Sequence, residues 1–203
     1  MDKKDILNNY SINKEQEISI QEYINRLKET NSHTNIVGKS TLINPWTSHV
    51  LDSLQILPHI KDKNFSILDM GTGAGLPGVV LSIAGCKKVT LVDSNGKKIN
   101  FLKAVKQKMN LRIDIVLNRL ENINGVKFDI ITSRALANLD KLFSYSHKFL
   151  KKNTVLIFLK GKTVNDELLE VKKKWIFQHK AYQSFSDPRG RVLIIKNLKK
   201  IND

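Results

Sequence analysis

Ile67-Leu-Asp-Met-Gly-Thr-Gly-Ala-Gly-Leu-Pro-Gly78 is the stretch from which the rest of the chain can be read. An apolar strand end carrying Asp69 runs into glycines at 71, 73, 75 and 78, and Val79-Val-Leu-Ser-Ile-Ala84 follows as a predicted helix. Glycines at this spacing let the backbone turn with φ > 0 and let a ligand reach bare peptide groups. A tight strand-to-helix connection with no ligand is the plainer reading of the same residues.

Two ligand classes use such a loop. Gly73-Ala-Gly75-Leu-Pro-Gly78 matches the dinucleotide pattern Gly-x-Gly-x-x-Gly. Asp69-Met-Gly71-Thr-Gly73-Ala-Gly75 matches the acid followed by Gly-x-Gly-x-Gly of an S-adenosylmethionine (SAM) site. The glycines alone do not choose. Val89-Thr-Leu-Val-Asp93 is a second apolar strand ending in an acid, placed where a ribose-binding carboxylate is expected. Asp93 serves equally as a helix cap, as do Ser94 and Asn95.

Outward from the loop, strands alternate with helices, which implies a mostly parallel sheet with helical crossovers. Strands are predicted near 66–69, 88–92, 112–117, 128–132, 154–159, 176–184 and 191–196. Helices are predicted near 77–84, 97–109, 138–148 and 164–174. Ligands in such sheets bind beyond the carboxyl ends of the strands. The residues there are the glycine loop, Asp93, Asn118-Arg-Leu-Glu121 and Thr132-Ser-Arg-Ala135.

Upstream, Ile18, Ile20, Tyr23, Ile24 and Leu27 mark a helix over 13–30, with Asn13 and Gln16 as a capping box. Asn31 to Lys39 is turn-like. Asn44-Pro45 opens a second helix that carries Trp46, Val50, Leu54 and Leu57 on one face and ends at Pro58. The expectation is one domain, 1–203, with a helical cap over 1–60 and an α/β core over 65–203.

The formal charge of +15 points to a polyanionic partner, although 28 lysines against 6 arginines also fit an A+T-rich coding bias. Lys97, Lys98, Lys103, Lys106 and Lys108 on one helix are either a phosphate-contacting face or a solvated one. No apolar run is long enough for a membrane span, and the N-terminus lacks a signal region. The single cysteine, Cys86, excludes an internal disulfide and a multi-cysteine metal site, so no metal is expected and a reducing cytoplasm is the simplest home.

Chemistry narrows by what is missing. His49, His59, His147 and His179 lie away from the predicted strand ends, which disfavours hydride transfer. No phosphate-binding Gly-Lys-Ser/Thr loop or Gly-x-Ser-x-Gly elbow occurs. Methyl transfer from SAM asks least of the protein, which must align a nucleophile and exclude water. Cys86 follows Gly85 rather than proline, against a pyrimidine C5 mechanism, and Ser133-Arg134-Ala135 replaces the Asn/Asp-Pro-Pro-aromatic tetrad of amine methylation. A purine ring nitrogen such as guanine N7 carries a free lone pair and no proton, so it needs neither device.

At these residues the chain resembles the bacterial small-subunit ribosomal RNA guanine-N7 methyltransferases, the RsmG (GidB) family. The matching segments are Asn35-Ile, His49-Val-Leu-Asp-Ser53, Leu68 to Gly78, Asp93-Ser, Gly96-Lys-Lys98, Phe101-Leu102, Arg119-Leu-Glu121, Ser133-Arg-Ala135 and Leu159-Lys-Gly161. Thr30 and Val37-Gly38 depart from the family pattern, both in the cap. The resemblance implies a class I SAM-dependent methyltransferase, Rossmann-like with a seven-stranded sheet. It further implies transfer to N7 of guanine 527 of 16S ribosomal RNA, with that RNA or the 30S subunit as partner. Carried over by motif, Gly71 and Leu76 would line the SAM site and Leu120 and Glu121 would hold the adenine edge. Gly73 of the loop and Asp93, as the ribose-binding carboxylate, join them as cofactor-binding candidates on their own strand-end positions. Arg134 would reach the methionine end or the target base as the catalytic candidate. His49 and Asp52 look like the family's helical pair. A NAD-dependent oxidoreductase and a non-catalytic RNA-binding module on the same fold are the alternatives. Arg189 and Arg191, before the last strand, could contact RNA phosphates.

Overall fold

The computed structural model describes residues 1–201. Seven strands form one sheet: β1 (Ser66–Met70), β2 (Lys88–Asp93), β3 (Ile113–Leu117), β4 (Phe128–Arg134), β5 (Leu150–Lys160), β6 (Trp175–Gln183) and β7 (Arg191–Lys200). Their order is β3-β2-β1-β4-β5-β7-β6. β3, β2, β1, β4 and β5 pair in parallel, and β7 is antiparallel to both its neighbours. Strand order reverses between β1 and β4, which opens a crevice above their carboxyl ends.

Alternation along the strands feeds two cores. Ile67, Leu91, Ile130 and Ile157 face one layer, and Leu68, Val92, Ile131 and Phe158 face the other. The first layer is covered by α2 (Lys14–Asn31), α4 (Gly78–Ile83) and α5 (Gly96–Lys108) through Tyr23, Val79 and Leu102. The second is covered by α6 (Leu139–His147) and α7 (Val164–Val171), whose Phe143 packs edge-on against Trp175 and Phe177.

The strands and core helices lie close to where the pattern predicts them. α2 starts at Asn13, which accepts from the Gln16 N–H while its own N–H donates to the Gln16 side chain. Four features of the cap differ from expectation. An extra helix, α1 (Lys3–Asn9), is capped by Asp2 and Asp5 and buries only Ile6, too little apolar content to register as a period. Ile18 is 59% exposed, one position off the buried stripe of Ile20, Tyr23, Ile24 and Leu27. The helix after Pro45 begins as a wide π turn, Trp46–Leu51, continues as α3 (Asp52–Leu54), and leaves Pro58 inside a separate 3₁₀ turn, Leu57–His59. Such wide turns recur at functional sites because they re-aim side chains. Asn31, in the stretch read as a polar turn, is buried, and its side-chain oxygen accepts from the Ile36 and Val37 N–H groups.

Candidate functional site

The glycine loop crosses the end of β1 with positive φ at Gly71 (63°), Gly73 (60°) and Gly75 (101°). Asp69 is fully buried beneath it and accepts from Thr72 Oγ1, Thr132 Oγ1 at 3.1 Å and the Gly78 N–H at 3.0 Å. Burial pushes its carboxyl up to about 6, against the pull of these donors. Asp69 therefore fastens the loop to β1 and β4 from below. Tyr23 of α2 holds it from the cap side, its hydroxyl donating to the Ala74 carbonyl at 2.8 Å.

Asp93, at the end of β2, closes the loop's other flank. One carboxylate oxygen accepts from the Gly73 N–H at 2.9 Å, the other from the Asn95 N–H at 2.8 Å. The capping of α5 is done by Asn95. Above Gly73 the space is open: a Cβ there would meet nothing nearer than Lys98 Nζ at 3.9 Å. At Gly71 the same atom would strike Leu136 Cδ1 at 2.5 Å.

Two cavities open over the strand ends. The smaller, about 110 Å³, is lined by Gly71, Asp93, Leu120, Glu121, Leu136 and Tyr145, among others. Bare peptide, a strand-end carboxylate and a half-apolar wall suit a nucleoside: hydroxyls for the acid, a planar base against Leu120. The Glu121 carboxyl is held below its usual range by its own backbone N–H and by Tyr145. Leu120 and Glu121 begin a 3₁₀ turn, Leu120–Asn122, separated from β3 only by Asn118 and Arg119. Leu76 does not share this cavity; its side chain is buried in the first core layer.

The larger cavity, about 530 Å³, lies on the other side of Arg134. Arg134, Asp52, Lys160, Ser186, Arg189 and Arg191 contribute to its wall. The segment Arg134-Ala135-Leu136 divides the two spaces: Arg134 and Ala135 face the larger, Leu136 the smaller. Ala135 has φ +53°, a conformation that non-glycine residues adopt where the surroundings enforce it.

Arg134 is the junction between core and cap. Its Nη1 donates to the Ser48 carbonyl at 3.1 Å and to Asp52 Oδ2 at 2.9 Å, and its Nη2 lies 3.3 Å from His49 Nδ1. Because the guanidinium can only donate, Nδ1 accepts, and the ring proton sits on Nε2, 3.0 Å from Thr41 Oγ1. Burial, then the Arg134 charge, lowers His49 to about 4, so the ring is neutral near pH 7. His49 thus reaches a strand end through tertiary contact, although its sequence position lies far from one. Asp52 Oδ1 also accepts from Ser186 Oγ and from Gln55 Nε2 at 2.9 Å.

Of the residues singled out from sequence, Gly71, Asp93, Leu120 and Glu121 gather at the small cavity and Gly73 sits beside it. Arg134 stands at the large one with Arg189 and Arg191. Sequence reasoning missed Leu136, Tyr145, Gln55 and Ser186. None of these carries a motif; only their contacts mark them. Among the described residues no cluster of three or more His, Cys, Asp or Glu could hold a metal, and no helix is long and apolar enough to cross a membrane.

The family model for the rRNA small subunit methyltransferase G matches residues 16–194. Curated relatives with the name Ribosomal RNA small subunit methyltransferase G include one from Orientia tsutsugamushi (strain Ikeda), 40% identical over 95% of this chain and 96% of its own length. Others come from Rickettsia prowazekii (strain Madrid E), 38% identical over 87% and 92%, and Caulobacter vibrioides (strain NA1000 / CB15N), 41% identical over 86% and 82%. Among solved structures, a ribosomal-protein methylase from Lactobacillus delbrueckii subsp. bulgaricus superposes with TM-score 0.59 at 18% identity, covering 71% of this chain and 75% of that one. A TehB-like SAM-dependent methyltransferase from Corynebacterium glutamicum gives 0.55 at 16%, covering 88% and 97%. These likenesses establish the class I methyltransferase fold.

Proposed function

Because the chain belongs to the rRNA small subunit methyltransferase G family, we propose that it moves a methyl group from SAM to N7 of guanine 527 of 16S ribosomal RNA. Family membership makes it a SAM-dependent methyltransferase and sets aside the dinucleotide reading of the glycine loop. The observation that carries the finer reading is the Arg134-Ala135-Leu136 partition, with a half-apolar slot lined by Gly71, Asp93 and Leu120 on one side and an arginine-lined cavity on the other.

In this reading the bare peptides of Gly71 and Gly73 admit the cofactor, Asp93 accepts from its ribose hydroxyls, and Leu120 and Glu121 hold the adenine edge. Leu76 contributes through the loop backbone, its side chain being committed to the core. SAM, when bound, supplies a methyl carbon already activated by the sulfonium. Guanine N7 carries no proton, so no residue has to act as a general base. Neutral His49 fits this: it accepts from Arg134 rather than taking a proton. Arg134 keeps its Nε–H and one Nη2–H beyond the bonds to Ser48, Asp52 and His49, and these are the donors it can offer to the reactants. The base enters the larger cavity, exposed in a loop or flipped from its stack. Arg189 and Arg191 meet its phosphates, in keeping with the net charge of +15.

The test is transfer of labelled methyl from SAM to 30S subunits and to naked 16S RNA that lack the modification, followed by mapping of the product. Label at N7 of guanine 527 is expected. SAM binding with no transfer to either substrate would leave a non-catalytic RNA-binding module in its place.

A further inference from the structure

Gln55 sits at the end of α3, carries no motif, and is 3% exposed. Its side-chain oxygen accepts from the Phe185 N–H at 2.9 Å. That bond fixes which end of the amide is nitrogen. The nitrogen is then directed at Asp52 Oδ1 (2.9 Å), Ser184 Oγ (3.2 Å) and Ser186 Oγ (3.3 Å). One buried amide therefore spans about 130 residues of chain, from the cap to the loop between β6 and β7.

The loop is ordered by its own bonds as well. Ser184 Oγ accepts from the Ser186 and Asp187 N–H groups, the Gly190 N–H donates to the Asp187 carbonyl, and the Ser184 N–H donates to the Gly190 carbonyl. This compact turn presents Arg189 and Arg191 to the large cavity. It is fastened to the cap by Gln55 and by Ser186, and both bind the Asp52 oxygen that Arg134 leaves free.

We propose that Gln55 is a positioning residue that locks the 184–190 loop to Arg134 through the Asp52 carboxylate, so that the RNA-facing cavity exists only when loop and cap are docked. The inference rests on the assignment of that cavity to the RNA substrate. Loss of the Gln55 donor frees the loop arginines and lets Asp52, and with it Arg134, shift. Burial makes the loss costly, since water cannot replace the missing partners.

Gln55→Glu gives a readout that simple destabilisation does not. It keeps the size and the acceptor for Phe185, but sets a second carboxyl against Asp52. Two carboxyls at that spacing share one proton, and the bridge breaks when the proton leaves. The other charged groups facing this pair are Arg134 from β4, Lys160 from β5, Asp187 and Arg189 from the loop, and Arg191 from the start of β7. His49, neutral above about pH 4, does not titrate in the range used.

Two measurements are made on the full chain from pH 6 to 8.5, each relative to the unsubstituted chain at the same pH. One is single-turnover methyl transfer to unmodified 30S subunits; the other is the rate of tryptic cleavage after Arg189. For Gln55→Glu, transfer relative to the unsubstituted chain is expected to fall and cleavage to rise as pH increases, the two changes reaching tenfold or more and fivefold or more by pH 8.5. Ser186→Ala, a milder loss of the same clamp, should raise cleavage without pH dependence. In an Arg134→Lys background, Gln55→Glu should add little to the loss of transfer. Flat ratios in both assays, or losses that multiply in the double variant, overturn the proposal. Should the unsubstituted chain transfer no methyl group, the substrate assignment fails, and the cleavage ratios still decide whether the clamp exists.

Discussion

Arg134 Nη1 and Asp52 Oδ2 meet at 2.9 Å, which ties the end of β4 to the helical cap across 82 residues of sequence. Both side chains are largely sheltered, at 20% and 17% exposure, so their attraction is screened less than in a surface ion pair while their desolvation costs more, and removing either partner strands the other. It makes the cap a component of the site. The wide turn at 46–51 presents the Ser48 carbonyl and His49 to the same guanidinium.

Asp52→Ala removes the acceptor shared by Arg134, Gln55 and Ser186. Unfolding in denaturant should show a loss of about 1.5–3 kcal/mol, the range for a hydrogen bond to a charged group. Methyl transfer should fall tenfold or more at saturating SAM. A stability change with unaltered transfer would show that the cap supports the fold alone.

Gly71→Ala and Gly73→Ala separate two roles of the loop. Both place a side chain at positive φ, costing about 1 kcal/mol. Gly71→Ala also collides with Leu136, so Leu136→Ala should partly restore its stability. Gly73→Ala meets only open space, so a tenfold or greater loss of SAM affinity by calorimetry, with no loss of stability beyond that backbone cost, would place the cofactor over that residue.

Asp93→Asn keeps one acceptor oxygen where the carboxylate uses two, for the Gly73 and Asn95 N–H groups. SAM affinity should drop tenfold or more while RNA binding, measured by filter retention, stays within twofold. Equal losses of both would place Asp93 in a structural role only.

His49 and Asp69 give stability opposing pH dependences. His49 falls from 6.5 to about 4 on folding, so its contribution is complete above pH 6.5 and is lost as pH drops toward 4. Asp69 rises from 3.8 to about 6, so its contribution is complete below 3.8 and is lost as pH climbs toward 6. Between about pH 4 and 6 the two slopes oppose each other. In His49→Gln the Asp69 slope stands alone. The variant's stability relative to the unsubstituted chain should improve on acidification across this window, approaching about 1.4 kcal/mol per pH unit. A constant difference across denaturant titrations at pH 4.5, 5.5 and 6.5 would contradict the neutral, buried state of His49.

The sequence alone determined the alternation of strands and helices, the glycine loop, the capping box at Asn13 and Gln16, and the acids at the ends of β1 and β2. These are local features. A period of two or 3.6 residues, a side chain bonding three positions away, or a glycine at positive φ is written within a few neighbouring letters. The same is true of the motif that led to Arg134. Tertiary structure decided what Arg134 touches, that Ala135 and Leu136 stand between the small and large cavities, that Ile18 faces water, and that Gln55 binds Phe185. Those outcomes depend on how cap, sheet and terminal loop pack together. Contacts across 80 to 130 residues leave no spacing in the chain from which to read them.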